Sequence, residues 1–534
     1  MKRCCNVLVV FLVLCSTFSL ILMCGCSSTN SRRILNYLYV RFKVSPTTVD
    51  PALIVDVYGA QIAAKLYNGL VCFNDDLAPA PDIAESWTVS ADGLVYSFRL
   101  KKGVLFFNGR EVLARDFKYS FERVLNPKTR SPRIWVLSRI QGADSFMSGK
   151  AAAVSGIEVI DPYLLQIRLE KPFAPFIKLL ALTTASVVPQ EEVERWGRDF
   201  SFHGSGTGPY ILERWEHNQF LQLRANSSYF KGAPRLGGIV YRIVPEDFTA
   251  LTEFEAGTID VMLEIPPAAY RHYADDPRWK SSVIAAPGLN IYYLGLNCQA
   301  FPFNNPLVRQ ALNYAIDRKT IVARLLDGRG IAASGILPPL LRSGQPLAGY
   351  SYDPVQARAL LKQAGYSTGL AMTIYQSADE ETLDITQALQ SYLRDAGIDA
   401  RIVQLEWSSF KNAVAGGDAQ AFWLSWWADY PDAENFLFPL FYTGNWGTGG
   451  NRSRFKDPRI DALLARAMSV MDERQARALY REIEQLVVQA APWVFCWHRA
   501  NCSIHQPWVK NYTVVPLAVM EKWTNIIIDN KEAQ

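Results

Sequence analysis

Only one stretch of this chain stays apolar for nearly the length of a membrane crossing, residues 7–23 of "MKRCCNVLVVFLVLCSTFSLILMCGCSSTNS". A crossing helix needs about 20 such residues. Lys2 and Arg3 precede the run, and the small cluster Cys24, Gly25, Cys26 closes it. Positive, apolar, then small is the order of a secretory signal peptide, so residues 1–25 read as a leader, with an uncleaved anchor as the competing reading. The most apolar stretch downstream, "PFAPFIKLLALTTASVVP", is broken by Lys178 and three prolines and reads as buried core. The rest of the chain must therefore bury its apolar surface in itself. Roughly 500 residues are too many for one compact core, and two or three subdomains are expected.

The ending "MCGC", followed by Ser27, Ser28 and Thr29, resembles a bacterial lipobox, in which the cysteine after a small residue is diacylated and becomes the new N-terminus. Gly25 precedes Cys26, whereas the bulky Met23 precedes Cys24, so Cys26 is the expected lipidation site. Each buried lipid methylene adds about 0.8 kcal/mol of membrane affinity. The expectation is an exported body tethered to a membrane, facing the periplasm or the cell exterior. Beyond the leader only Cys72, Cys298, Cys496 and Cys502 remain. Their pairing is not fixed by sequence; a Cys496–Cys502 bridge and free buried thiols both stay open. With 55 basic against 51 acidic residues and no long basic run, a nucleic-acid partner is not expected.

The body mixes strand and helix patterns without repeats. "LVYSFRLKKGVLFF" alternates apolar and polar residues from Val95 to Leu100 and then breaks at Gly103, which predicts a strand entering a turn. In "ARDFKYSFERVLNP", Phe117, Phe121, Val124 and Leu125 share a helical face that Pro127 ends. "DPVQARALLKQAGY" offers Asp353 as a cap, Pro354 at the first helical position and Gly365 as a left-handed stop. "NNPLVRQALNYAIDRKTIVARLLDGRG" repeats the device with Asn305 and Pro306, and Asp317 starts a second helix that stops near Gly328. The fold class is mixed α/β with several sheets.

Reactive constellations are missing from the sequence. It has no His-Glu-x-x-His, no Gly-x-Ser-x-Gly elbow and no phosphate loop. "HGSGTGPY" is glycine-rich, but Pro209 stands where a dinucleotide fingerprint needs its last glycine, so a tight turn before a strand is expected. His203, His217, His272, His498 and His505 are scattered, and neither a metal nor a cofactor is expected. The segment "SWWADYPDAENF" crowds Trp426, Trp427 and Tyr430 around Asp429. Its acids could be a two-carboxylate glycosidase site, using Asp429 with Asp432 or Glu434. They could equally be a ligand anchor or a solvated acidic turn.

A resemblance narrows these alternatives. Gly69-Leu70, Pro81 through Trp87, Asp92 through Phe98, Lys102-Gly103, Asn108-Gly109 and Ala114 through Phe117 are similar to the signature region of the dipeptide/oligopeptide extracellular solute-binding family. "GTGPYILERW", "FEAGTIDV", "YLGLNC", "VRQALNYAIDR" and "LEWSSF" follow at the expected distances, so the likeness spans the mature chain. It implies a periplasmic-binding-protein fold with two lobes, a hinge and an extra subdomain in the first lobe. The implied organisation is 26–66 as the first part of lobe one, 67–187 as the extra subdomain, 188–290 as lobe one continued, 291–496 as lobe two and 497–534 as the return to lobe one.

The resemblance also implies a monomeric, non-enzymatic receptor for short peptides that serves the permease of an ABC importer. Asp429 would pair with the peptide's α-ammonium. Trp426, Trp427 and Val57 would lie along its backbone, Tyr430 would belong to the same ligand-binding segment, and Trp407 would line a side-chain pocket, with an ordinary core aromatic as the alternative for Trp407. Two positions depart from the pattern: Trp423 stands where some members carry an arginine, and Arg133 of "SPRIW" stands where an aromatic is common. Ligand preference is therefore left open, with a cell-wall peptide, nickel, haem or another solute as alternatives, and a carbohydrate-active enzyme as the distant one.

Overall fold

The computed structural model describes residues 33–529; the leader and Cys26 lie outside the described residues. A sheet of 12 strands runs through the molecule. One end belongs to the first lobe, where Tyr37–Phe42 pairs in parallel with Gly238–Ile243 and Val261–Met262, followed outward by Phe220–Ala225 and Tyr210–Glu216. The other end belongs to the second lobe, where Asn290–Leu296 pairs with Ala421–Trp427, and Leu370–Ser377 pairs with Ile398–Leu405. Alternation dictates these strands. Leu370, Met372, Ile374 and Gln376 point inward and their neighbours outward, the period of a half-buried strand.

The 13-residue strand Trp493–His505 joins the two ends. Its first part pairs with Asn290–Leu296 and its last part with Val283–Pro287 and Val261–Met262. Between these pairings lies a crossing at residues 287–290 and 498–500, where Trp497–Arg499 also pair with Gly330–Ala332. Asn290, fully buried, clamps the crossing. Its amide donates to the Arg499 carbonyl at 3.0 Å and accepts from the Arg499 N–H at 2.7 Å, while the Gly288 N–H donates to the same carbonyl at 3.1 Å. A Cβ on Gly288 would lie 2.6 Å from that carbonyl, so only glycine allows the approach.

The extra subdomain of the first lobe is built on a separate antiparallel sheet, in the order Ala84–Val89, Val95–Leu100, Leu164–Arg168, Ile157–Asp161. Helix Ala114–Leu125 packs Phe117, Phe121, Val124 and Leu125 into its core. "PFAPFIKLLALTTASVVP" is core, as its sequence suggests: Phe173, Phe176, Leu179, Leu180, Ala185 and Val187 are buried in the same cluster. Among the described residues no helix is long and apolar enough to cross a membrane.

The anticipated helix punctuation is present. Asp353 accepts from the Gln356 N–H ahead of Pro354–Gln363, Asn305 from the Leu307 N–H ahead of Pro306–Ala315, and Asp317 from the Thr320 N–H ahead of Arg318–Arg324. "HGSGTGPY" is a close-approach segment ahead of strand Tyr210–Glu216: a Cβ on Gly206 or Gly208 would sit 2.1 Å from the carbonyls of Leu66 and Lys65, respectively. The four described cysteines are free. Cys496 and Cys502 share one extended strand, where six residues span about 20 Å, far beyond the ~7 Å limit for a bridge. The bridge reading is thereby corrected.

Because the fully buried Asn290 supplies both a donor and an acceptor to the crossing, Asn290→Ala is expected to cost about 2–3 kcal/mol of stability. Urea unfolding of the two proteins measures it.

Candidate functional site

Strand Ala421–Trp427 delivers the aromatic-acidic segment to the junction of the lobes. Its turn is pinned at both ends. The Ala428 N–H donates to the Leu289 carbonyl at 2.9 Å, and the Asp429 N–H donates to Asn435 Oδ1 at 2.9 Å. Helix Glu434–Phe441 follows. The Asp429 carboxylate is thus left unengaged by its own turn, and it reaches across to the first lobe. There it accepts from Arg133 Nη1 at 3.1 Å, while Arg133 Nε is held by the Ile54 carbonyl at 3.1 Å. The two side chains are 34% and 30% exposed. An ion pair that open to water contributes at most about 1 kcal/mol.

Asp429 also borders a cavity of about 310 Å³ in the second lobe, at the small end of the range for ligand sites. Trp407, Phe410, Lys411 and Val414 line one wall. Their spacing is that of a single helical face, and helix Trp407–Gly416 carries them behind an N-cap in which Glu406 accepts from the Ser408 and Ser409 N–H groups. Ser425, Trp426 and Trp427 of the strand also line the cavity, as does Arg452. The Lys411 ammonium lies 5.2 Å from the Trp407 ring centroid. Trp407 is half exposed and so is not an ordinary core aromatic.

The strand carrying these tryptophans has an open edge. One side pairs with Asn290–Leu296 over its whole length, but Leu370–Ser377 pairs on the other side only at Ala421 and Phe422. From Trp423 to Trp427 the outer main-chain edge carries no neighbouring strand among the described residues.

The residues singled out from sequence are thus distributed unevenly. Asp429, Trp426, Trp427 and Trp407 meet in one cavity. Val57, the first residue of helix Val57–Leu66, is exposed and lies outside that cavity, three residues beyond the carbonyl that holds Arg133. Tyr430 differs from its sequence reading. It is 3% exposed, its hydroxyl donates to the buried Glu434 carboxylate, and its ring packs into the core of the extra subdomain, 6.3 Å from the Trp135 ring. It therefore joins the lobes and presents no face to the cavity.

The other acids of the turn are also engaged. Asp432 pairs with Lys178 at 2.7 Å, and Lys178 donates as well to the Pro431 carbonyl at 3.1 Å. Sequence reasoning passed over Lys411 and Arg452. The four-residue step from Trp407 to Lys411 on a helix was a readable signal; Arg452 carried none. His498 is buried, its Nδ1 facing the Asn290 carbonyl, and burial pushes its imidazole down to about 4.

Residues 78–448 match the family model described as the middle of bacterial extracellular solute-binding proteins, family 5. The glutathione-binding protein GsiB of Salmonella paratyphi A is 30% identical over 479 residues, covering 88% of this chain and 90% of that protein. Among solved structures, HbpA2 from Haemophilus parasuis superposes with a TM-score of 0.82 at 26% identity, over 92% of this chain and 100% of the other. The Escherichia coli murein tripeptide binding protein MppA superposes with a TM-score of 0.74 at 28% identity, over 92% and 98%. A two-lobed sheet joined by a shared strand, an acid at the junction and a match over most of the chain agree: this chain belongs to the bacterial extracellular solute-binding proteins, family 5.

Proposed function

We propose that this protein is the substrate-binding lipoprotein of an ABC importer, anchored through Cys26, which captures short peptides between its lobes and presents them to a membrane permease. The observation that carries the reading is the position of Asp429. It stands at the end of an open sheet edge, on the rim of a tryptophan-walled cavity, in contact with the opposite lobe. An unblocked peptide needs this combination. Its α-ammonium, present whatever its sequence, pairs with Asp429, and its backbone is added as a strand along 423–427. Trp407, Trp426 and Trp427 give the side chains apolar surface without fixing their identity.

Relatives named for glutathione and murein tripeptide binding support a peptide-like ligand. The lobe boundaries at 290/291 and 496/497 belong to the same proposal and lie next to the crossing at 287–290 and 498–500. Closure is favoured when only the closed state gives ligand contacts from both sides. A micromolar dissociation constant would supply roughly 8 kcal/mol, from which the cost of closure is drawn.

Asp429→Ala is expected to abolish binding of unblocked tri- and tetrapeptides in titration calorimetry while the thermal melt moves by no more than a few degrees, because the Arg133 pair is a third exposed on each side. Unchanged affinity would refute the anchor role. Trp407→Ala, which shortens only one cavity wall, should weaken binding roughly tenfold, the scale of about 1.4 kcal/mol.

The turn beneath the anchor adds a pH dependence. Burial, reinforced by the Asp432 charge and opposed by the Tyr430 hydrogen bond, pushes the Glu434 carboxyl up to about 7. The folded protein therefore keeps a proton that the unfolded chain, with an ordinary value of about 4.3, releases. Stability from this group is complete below pH 4 and is lost as pH rises toward about 7. In melts at successive pH values, the wild-type advantage over Glu434→Gln should shrink from pH 5 to 7 and stay constant above 7.5.

A further inference from the structure

The charges around the anchor do not suit a ligand that offers an ammonium alone. Arg133 already pairs with Asp429 from the first lobe, and Lys411 and Arg452 line the same cavity as Asp429. Neither Lys411 nor Arg452 has a carboxylate within ion-pair distance among the described residues. Among the described residues, Asp429 is the one carboxylate that lines the cavity. A bare ammonium brought to Asp429 would add a further positive charge beside Arg133. Like charges held that close repel, and Arg133 is tethered to the Ile54 carbonyl, which restrains its retreat.

We propose, on the footing of the peptide-binding reading above, that Arg133 is a specificity-determining residue. In this reading it holds a carboxylate borne on the same carbon as the ligand's ammonium, so that the preferred ligands are short acidic peptides whose first residue is linked through its side chain, a γ-glutamyl linkage being the simplest. Such a head group carries both charges on one carbon. Slipped between Asp429 and Arg133, its ammonium faces the carboxylate and its carboxylate faces the guanidinium, so a 3.1 Å contact is exchanged for two ion pairs without a change in local charge.

An α-linked acidic residue places its carboxylate at the end of a flexible side chain, so holding it against Arg133 costs rotamer freedom that a carboxylate on the ammonium's own carbon does not lose. The guanidinium suits the task because its planar fork matches a carboxylate bidentately. Arg133 Nε already points to Ile54, which leaves the two terminal nitrogens for the exchange. The remaining carboxylate of the peptide would lie toward Lys411 and Arg452, on the far side of the tryptophans.

The test is a pair of isomers with identical composition and net charge, γ-Glu-Ala-Gly and α-Glu-Ala-Gly, titrated calorimetrically into the full mature protein. The γ-isomer is expected to bind at least tenfold tighter, and Arg133→Gln to reduce the preference to less than threefold. Equal affinities in the wild type, binding of trialanine but of neither isomer, or a preference that survives Arg133→Gln would each overturn the proposal. Asp429→Asn separates it from the reading beneath. Loss of both isomers in that variant, together with equal wild-type affinities, sinks only the role of Arg133. Retention of both at wild-type strength sinks the ammonium anchor itself. Thermal melts of both variants confirm that they fold.

Discussion

A single strand shared by two lobes governs the rest of this structure. Trp493–His505 is hydrogen-bonded on one side of the crossing to Asn290–Leu296 and on the other to Val283–Pro287. Neither lobe can slide relative to the other without breaking a ladder. In the proposed hinge, rotation is the motion left, and it would fall at 287–290, where the amide of Asn290 and the bare backbone of Gly288 replace regular pairing, while His498 and Arg499 stay paired with Ile331 and Gly330 on the other edge. A junction of this kind keeps its two ends in register, which is what the proposed anchor in one lobe and its counter-charge in the other would require.

The contacts across the junction differ in permanence. Tyr430 is buried in the core of the extra subdomain, and full burial of such a ring is worth about 2 kcal/mol. Lys178 is spent on Asp432 and the Pro431 carbonyl, and the Ala174 N–H donates to the Met468 carbonyl at 2.9 Å. These close the lobes at the base of the turn. Arg133–Asp429 is the loosest member of the set, a third exposed on each side. Its partners can be exchanged for those of a ligand at small cost, with the apolar contacts beneath it unchanged.

Much of the fold was legible because its signals are local. Asp353 with Pro354 and Asn305 with Pro306 cap helices by hydrogen bonds to backbone two or three residues away, and such chemistry is written in adjacent letters. The four residues that converge at the cavity were legible only through family likeness. Nothing in "LEWSSF" says that Trp407 lines one cavity with Trp426, since that depends on how helix Trp407–Gly416 packs over the sheet. Tyr430 was misjudged for the same reason. Its neighbours in sequence face the cavity, but the turn reverses its side chain into the other lobe. Arg133 was visible as a departure from pattern, yet its meaning lay in a partner 296 positions away.

The three acids of "DYPDAE" show how environment divides one residue type into separate duties. Asp432 sits against a lysine and the backbone carbonyl that lysine also grips, so its charge is committed to the junction. Glu434 is buried with a phenol for company, and burial favours its neutral form, which lets it serve as a packed hydrogen-bonding group. Asp429 alone of the three lines the cavity, with a partly exposed ion-pair partner. A ligand cation is drawn to the carboxylate whose existing interaction is cheapest to replace. Among these three that is Asp429, because the salt bridge it would give up is the one still shared with water.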